Sequence, residues 1–258
     1  MHPILFEIGP FPLHTYGFLI VIGFFCGVFL LRRKARLQGL NEDLITDIAF
    51  WGLILGLLGG RLLFVITRWQ DYVQDPLRIF KIWEGGLVYY GGFLTGFAVF
   101  LFLSRKHKLN KLDITDMAAP SLAIAHFFGR LGCFAAGCCY GSQCPEDHPF
   151  AVIFRDPRSI APIGVPLHPA QLYDAVNALI IFLVLHFLYF RRQFTGQITA
   201  IYFMVYAIGR TIVEVYRGDS IRGFVIEGVL STSQFISIFT FLAGVALYIY
   251  GWRRHRSS

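Results

Sequence analysis

The feature that most constrains this chain is a series of apolar segments, most of them close to the length of a membrane-crossing helix. Seven such segments occupy residues 16–31, 45–66, 87–103, 114–134, 169–190, 198–216 and 233–252. A helix needs about 20 apolar residues to cross the hydrocarbon of a bilayer. Because backbone facing lipid must satisfy its own hydrogen bonds, such segments are expected to be helical. We therefore predict an all-α integral membrane protein with seven transmembrane helices, forming a single polytopic domain over residues 1–258.

Clusters of lysine and arginine follow the first, third, fifth and seventh apolar segments. They lie at residues 32–36, 105–108, 191–192 and 253–256. Because basic loops stay on the cytoplasmic side of a membrane, we expect the N-terminus outside and the C-terminus in the cytoplasm. The formal net charge of +7 thus reflects membrane topology, and we expect no nucleic-acid partner.

The longest segment on the predicted outer side lies between the fourth and fifth apolar segments. Residues 137–167 are rich in proline and charged side chains, and they are too polar to cross a membrane. Within them, residues 150–154 (Phe-Ala-Val-Ile-Phe) have the β-branched and aromatic composition of a short strand. We expect residues 137–167 to form a small external loop or cap.

Glycines recur at intervals of four residues in the second and third apolar segments. Gly52, Gly56 and Gly60 lie in the second segment, and Gly92 and Gly96 lie in the third. Small residues at this spacing let membrane helices approach one another closely. We interpret these glycines as packing residues and assign them no chemistry.

Three arginines lie inside apolar sequence, each directly after a glycine: Arg61, Arg130 and Arg210. An arginine in a membrane usually faces a polar interior or a ligand, although one near a helix end can also reach the headgroups. In the predicted orientation all three approach the outer leaflet. Gly129 and Gly132 flank Arg130 and would let a ligand come close to it.

Polar aromatic residues are expected at the same outer level. Tyr16 begins the first segment, and Tyr89 and Tyr90 lie at the start of the third. Residues 168–173 (His-Pro-Ala-Gln-Leu-Tyr) open the fifth segment on that side. Together with the arginines, these residues predict one polar cavity near the outer headgroups.

The sixth segment carries a polar face. Tyr206, Arg210 and Glu214 are spaced four residues apart and therefore share one side of a helix. Glu214 can neutralise Arg210, and this internal pair is the simplest interpretation of the two charges. It cannot also neutralise Arg61 and Arg130, so we expect an excess of positive charge. An anionic phospholipid phosphate would match the guanidinium groups.

Four cysteines fall within twelve residues on the predicted outer side, at Cys133, Cys138, Cys139 and Cys144. Their spacing differs from the usual paired Cys-x2-Cys motif of zinc sites. An oxidising compartment favours disulfides, so we favour a structural disulfide here. Packing thiols, and a metal-binding or catalytic thiol, remain alternatives. The isolated Cys26 is expected to be a packing residue.

Several motifs, taken together, resemble those of the prolipoprotein diacylglyceryl transferases. The most specific combination is His-Pro-Ala-Gln-Leu-Tyr at residues 168–173 with the later Tyr-x3-Arg-x3-Glu of residues 206–214. The other matching pieces run nearly from end to end and lie at residues 14–17 (His-Thr-Tyr-Gly), 59–61 (Gly-Gly-Arg), 83–86 (Trp-Glu-Gly-Gly), 91–92 (Gly-Gly), 129–132 (Gly-Arg-Leu-Gly) and 150–154.

The resemblance implies a reaction between a lipid and a protein. In this family the diacylglyceryl group of phosphatidylglycerol passes to the thiol of a lipobox cysteine in a preprolipoprotein, and glycerol phosphate is released. The partners would be phosphatidylglycerol, the preprolipoprotein and the bilayer of the bacterial cytoplasmic (inner) membrane. The active site would face the outer leaflet. We assign no cofactor and no metal ligand.

The family pattern also implies roles for particular residues. Arg130 would bind the phosphatidylglycerol headgroup, and Arg210 would stabilise the charge that grows on the leaving phosphate. We add Arg61, Tyr16, Gly129 and Gly132 to the phosphatidylglycerol site. The candidate catalytic residues are Arg210, Tyr90, Tyr206, Glu214 and His168.

The chain departs from the family pattern in two places. Tyr90 stands where the family has a histidine that is favoured as general base. Cys133, Ala136 and Cys138 stand where the family signature has Asn, Asn and Glu. The proton of the acceptor thiol could pass to Tyr90 or His168, with His126 a weaker candidate, or need no dedicated base.

These departures leave two further functions open. One is a related phosphatidylglycerol-dependent transferase with a different acceptor. The other is a membrane protein that binds lipid without catalysis.

Overall fold

The protein is mostly helical. The computed structural model describes residues 2–9, 11–81, 85–219 and 223–256. Within these ranges lie seven α-helices: α1 (Thr15–Leu37), α2 (Glu42–Thr67), α3 (Tyr89–Lys106), α4 (Lys111–Ala136), α5 (Ala170–Tyr189), α6 (Gln197–Val215) and α7 (Thr232–Arg256). Trp83 and Glu84 of the Trp-Glu-Gly-Gly motif lie outside the described residues.

Among the described residues, three antiparallel strand pairs accompany the helices. The first, β1 (Ile4–Ile8) with β2 (Phe11–His14), precedes α1. The second, β3 (Val152–Ile153) with β4 (Pro166–Leu167), lies between α4 and α5. The third, β5 (Phe224–Ile226) with β6 (Leu230–Ser231), precedes α7.

Each apolar segment of the sequence corresponds to one helix. Five of the helices, α1, α2, α5, α6 and α7, are long and apolar enough to cross a membrane. The prediction of a helical, multi-pass membrane protein is supported at this level, whereas the number of crossings and their orientation stay predictions. Helix α1 continues past the predicted end at residue 31 through its basic residues to Leu37, because arginine and lysine are good helix formers.

The chain divides into two compact units. One comprises residues 31–114, and the other comprises residues 1–30 together with 115–258. In the first unit, α2 and α3 pack through their glycines. A Cβ added to Gly56 would lie 3.3 Å from the carbonyl oxygen of Gly92, and one added to Gly96 would lie 3.2 Å from that of Gly52. The glycines therefore bring the two helix backbones into contact, as the sequence predicted.

In the second unit, a buried carboxylate fixes the start of α6. Asp116 accepts hydrogen bonds from the backbone nitrogens of Gly196 and Thr199, each at 2.8 Å, and from Thr199 Oγ1 at 2.7 Å. Arg192 Nη1 lies 3.1 Å from the same carboxylate. These bonds satisfy amides that a helix N-terminus leaves free. They anchor the helix that carries Arg210.

Residues 137–167 fold around a small core of their own. Phe154, Ala161 and Leu167 are buried in it. The strand predicted at residues 150–154 is shorter in the structure, where only Val152–Ile153 pairs with β4 and Phe154 forms an isolated bridge to Ile163. The segment is therefore a compact cap in structure, and its position outside the membrane stays a prediction.

Candidate functional site

Helices α4, α5 and α6 of the second unit, with the segment directly after α6, carry a series of paired charged side chains, which we call the charge network. Each member lies within 4.0 Å of an oppositely charged or hydrogen-bonding neighbour in the network. Asp174, Arg210, Glu214 and Asp219 are buried. The network consists of His126, Arg130, Asp174, Arg210, Glu214, Arg217 and Asp219.

Arg130 joins α4 to α5 in this network. Its Nε lies 2.9 Å from Asp174 Oδ2 and donates to His126 Nε2 at 3.1 Å. His126 Nε2 in turn lies 3.5 Å from Asp174 Oδ1. Asp174 thus contacts both side chains of α4 that lie one helical turn apart.

Arg210 joins α5 to α6. Its Nη2 lies 2.6 Å from Glu214 Oε2, and its Nη1 lies 3.9 Å from Asp174 Oδ2. Arg217 Nη1 lies 3.6 Å from the same Glu214 oxygen, and Arg217 Nε donates to Asp219 at 2.9 Å. Arg210 Nη1 is buried and has no hydrogen bond within the described part of the chain. This nitrogen therefore retains a hydrogen-bond donor that an anion entering the buried site would accept.

The predicted excess of positive charge at Arg130 is wrong. Three arginines of the network face three carboxylates, and Asp174 is the partner that the sequence analysis missed. The signal was present, because an acidic residue inside an apolar helix marks a functional position by default. Asp174 directly follows the motif at residues 168–173 and is one helical turn into α5.

The two glycines that flank Arg130 have different surroundings. A Cβ added to Gly129 would meet nothing within 4 Å, so open space lies beside this glycine. A Cβ added to Gly132 would lie 3.0 to 3.3 Å from Tyr16, so Gly132 lets the start of α1 pack against α4. Tyr16 is 41% exposed. Gly129 thus has open space beside it, whereas Gly132 serves helix packing, and a role for either glycine in lipid binding stays a prediction.

Tyr206 packs beside the network on α6. Its ring lies 5.9 Å from that of His126 in an edge-to-face contact. A narrow, mainly apolar crevice between α4, α5 and α6 is lined in part by both rings. Its lining residues are Ala123, His126, Asn177, Ala178, Ile181, Tyr202 and Tyr206.

Arg61 has a different environment, in the unit of residues 31–114. Its guanidinium donates to five backbone carbonyls of the segment between α2 and α3. The shortest of these bonds runs from Nη1 to Gly85 at 2.6 Å. A cavity of about 370 Å³ lies beside it, lined also by Arg68 and Arg78. Binding of a phosphate by Arg61 would have to compete with these five bonds.

Tyr90 belongs to the same unit as Arg61. It lies in the first turn of α3 and is 52% exposed, with its ring 5.8 Å from that of Tyr89. Its accessibility is compatible with contact to a lipid or a peptide, and its catalytic role stays a prediction.

His168 lies directly after the cap, between β4 and α5, and is not a member of the charge network. Its Nδ1 is 3.4 Å from the hydroxyl of Tyr173, and its ring contacts those of His148 and Tyr216. Burial and the neighbouring His148 lower the pKa of His168 below its usual value. Cys144, His148 and His168 place their ligand atoms within 4.8 Å of one another.

The cysteines are unbonded. The disulfide favoured from the sequence is not formed, and all five thiols are free. The sulfur atoms of Cys133, Cys138 and Cys139 lie within 4.8 Å of one another, and we call them the thiol cluster. Hydrogen bonds with the other two thiols, and the nearby Arg130 and Arg217, lower the pKa of Cys139 well below its usual value.

Comparison with known proteins agrees with the motifs. A family model described as Prolipoprotein diacylglyceryl transferase matches residues 3–250. The chain is 38% identical over 248 residues to "Phosphatidylglycerol--prolipoprotein diacylglyceryl transferase 2" of Clostridium perfringens (strain 13 / Type A), covering 96% of this chain and 94% of that protein.

Two further relatives carry the same name without the number. The protein of Clostridium tetani (strain Massachusetts / E88) is 37% identical over 249 residues, covering 96% of this chain and 97% of the relative. The protein of Staphylococcus haemolyticus (strain JCSC1435) is 31% identical over 253 residues, covering 96% of this chain and 87% of the relative. The resemblance noted in the sequence is confirmed, and the chain belongs to the prolipoprotein diacylglyceryl transferase family.

Proposed function

We propose that this protein transfers the diacylglyceryl group of phosphatidylglycerol to the thiol of a lipobox cysteine in a preprolipoprotein and releases glycerol phosphate. Family membership over nearly the whole chain supports this activity. The structural observation that carries the proposal is the pairing of Arg130 and Arg210 with one buried carboxylate, that of Asp174.

In this reaction the acceptor sulfur attacks the carbon that joins the diacylglyceryl group to the phosphate. The carbon–oxygen bond breaks, and its electron pair leaves on the phosphate. Negative charge therefore grows on an oxygen that had been shared between carbon and phosphorus. Fixed donors aimed at that oxygen stabilise the transition state more than the bound lipid.

Arg130 and Arg210 supply those donors. Asp174 holds Arg130 from one side, and Glu214 holds Arg210 through a 2.6 Å ion pair. Since both guanidiniums are already oriented, little ordering is left to do when the phosphate arrives. We assign Arg130 to the phosphate of the bound lipid and Arg210, through Nη1, to the leaving oxygen.

The remaining predicted residues have separate proposed roles. We assign Tyr16, Gly129 and Gly132 to the approach of the headgroup to Arg130, and Tyr206 borders the apolar crevice beside His126. Tyr90 is our proposed acceptor for the proton of the thiol, with His168 as the next candidate. We propose that Arg61 holds the segment before α3 in place, because its guanidinium donates five hydrogen bonds to backbone carbonyls there.

The charges and apolar helices of the protein support a proposal for its location. We propose seven crossings of the bacterial cytoplasmic membrane, with the N-terminus and the cap of residues 137–167 outside. Five helices of sufficient length and apolarity support the crossings. The four basic clusters after alternate segments support the orientation. Arg130 and Arg210 then lie toward the outer leaflet.

The direct test combines purified protein with labelled phosphatidylglycerol and a lipobox peptide. We expect the label to appear on the peptide cysteine as a diacylglyceryl thioether. Consumption of the lipid without peptide modification would instead indicate a different acceptor. Binding of the lipid without turnover would indicate a non-catalytic protein, and either result would contradict the proposal.

A further inference from the structure

The end of α4 brings two cysteines together. The helix ends at Ala136, Gly137 follows in the left-handed region with φ +77°, and the backbone nitrogen of Cys138 donates to the carbonyl of Cys133 at 3.1 Å. This is the bond pattern of a Schellman cap, in which the side chains at these two positions meet. The helix terminus itself therefore sets Cys133 against Cys138.

Cys139 is held in an unusual backbone conformation. Its φ is +56°, and a residue with a Cβ pays about 1–2 kcal/mol in the left-handed region. This conformation coincides with the placement of the third sulfur within 4.8 Å of the other two. Gln171, which is buried on α5, donates from Nε2 to the carbonyl of Cys138 at 2.9 Å and anchors the turn.

Three thiols at this separation can bind one thiophilic ion. Zinc–sulfur bonds are about 2.3 Å long, so tetrahedral zinc holds its sulfur ligands about 3.8 Å apart. The observed separations of up to 4.8 Å need only small side-chain rotations to reach that value. Three protein ligands with a vacant fourth position are the arrangement of a catalytic zinc ion rather than a structural one.

The cluster adjoins the charge network along the chain. Cys133 lies three residues after Arg130 on α4, so the two share one side of that helix. Arg217 forms an isolated backbone bridge to Gly141, two residues after Cys139. The cluster therefore lies beside the arginine to which we assign the phosphate.

We propose that Cys133, Cys138 and Cys139 bind Zn²⁺ and that the fourth coordination position takes the acceptor thiol. This inference rests on the proposed function and names the group that activates its acceptor. The thiol loses its proton to solvent or a nearby base as its sulfur binds the ion. The bound thiolate then attacks the glyceryl carbon, the carbon–oxygen bond breaks, and the electron pair leaves on the phosphate. No oxidant or reductant is needed.

The first experiment measures zinc in the full-length protein, purified in detergent under reducing conditions. We expect Cys133→Ser, Cys138→Ser and Cys139→Ser each to bind one ion fewer per chain than the unchanged protein. Cys26→Ser, the change of an isolated half-buried cysteine, should bind as many ions as the unchanged protein. Cys144→Ser is measured in parallel, because Cys144, His148 and His168 form a separate group of possible metal ligands. This variant shows how much zinc that group binds, so that its zinc is not counted as zinc of the thiol cluster.

Helix content and phosphatidylglycerol binding of each variant show whether it is folded. Equal zinc in all three cluster variants and the unchanged protein would overturn the proposal. So would a disulfide between two cluster cysteines in the protein as isolated, detected by mass spectrometry without reduction.

The second experiment uses Co²⁺ in place of zinc, with a lipobox peptide and its Cys→Ser counterpart. We expect the cysteine peptide alone to strengthen the sulfur-to-cobalt absorption, because it adds a fourth thiolate. No difference between the two peptides would overturn the role of the fourth position. A spectral change without lipid transfer would support the metal site and contradict the proposed function. Full transfer by metal-free protein would support the proposed function and overturn the role of the metal site.

Discussion

The carboxylate of Asp174 lies 2.9 Å from Nε of Arg130, and this pair joins α5 to α4. The same carboxylate oxygen lies 3.9 Å from Arg210 on α6. One acidic side chain therefore sets the positions of both arginines to which we assign the phosphate. An arginine held in this way can recognise a phosphate without first losing the freedom of its own side chain.

Asp174→Asn tests that relationship with almost no change in shape. The change leaves Arg130 without its counter-charge, and breaking a buried pair costs roughly 3–5 kcal/mol. We expect a clear fall in the melting temperature and at least a tenfold loss of lipid transfer. Asp156→Asn is the matched control, since Asp156 also pairs with an arginine, Arg158, which is 53% exposed. Equal behaviour of the two variants would contradict a special role for Asp174.

The sequence predicts local features of this protein well. Helix positions follow from apolar length, and the alignment of Tyr206, Arg210 and Glu214 follows from helical periodicity. The packing of α2 on α3 follows from glycines spaced four apart. Each of these properties depends on residues close together in the chain.

The features that sequence analysis missed depend on distant residues. The partner of Arg130 is Asp174 on another helix, and the partners of Arg61 are carbonyls of a later segment. Residue type alone does not reveal such contacts. The thiol cluster depends on the turn after α4 and on the positive φ of Cys139, which a cysteine seldom adopts.

Arg61→Lys tests whether Arg61 is structural. Lysine has three donors on one nitrogen and cannot reach carbonyls spread over the segment before α3, to which Arg61 makes five hydrogen bonds. We expect a lower melting temperature and a KM for phosphatidylglycerol within about twofold of the unchanged value, a change worth under ~1 kcal/mol. A large rise in the KM for phosphatidylglycerol, with an unchanged melting temperature, would instead show that Arg61 binds the lipid.

Tyr90 is tested by comparing two substitutions at one position. Tyr90→Phe removes the hydroxyl and keeps the ring, whereas Tyr90→His supplies a group with an ordinary pKa of about 6.5. If Tyr90 accepts the proton, transfer should fall in the first variant and be retained or raised in the second. Unchanged transfer by Tyr90→Phe would limit Tyr90 to packing, and His168→Gln would then be the variant to measure.

Topology is tested with a reporter fused after the C-terminus, at Ser258. The basic residues 253–256 predict that the end of α7 stays in the cytoplasm. A reporter active only in the cytoplasm should therefore be active, and a reporter active only outside should be silent. The opposite pattern would overturn the orientation and the outer-leaflet position of the arginines.

The central claim is that Arg130 and Arg210 bind and stabilise the phosphate during transfer to a lipobox thiol. Charge-assisted hydrogen bonds contribute roughly 1.5–3 kcal/mol each, so losing one lowers the rate about ten- to a hundredfold or more. Arg210→Lys should also be impaired, because lysine lacks the planar fork. Arg158→Ala, in the exposed pair of the cap, is the control.

The most direct measurement is the rate at which mass spectrometry detects diacylglyceryl peptide in the unchanged protein, Arg130→Ala, Arg210→Ala and Arg158→Ala. We predict steady product from the unchanged protein and from Arg158→Ala, and little or none from the other two. Transfer at the unchanged rate in both Arg130→Ala and Arg210→Ala would contradict the account.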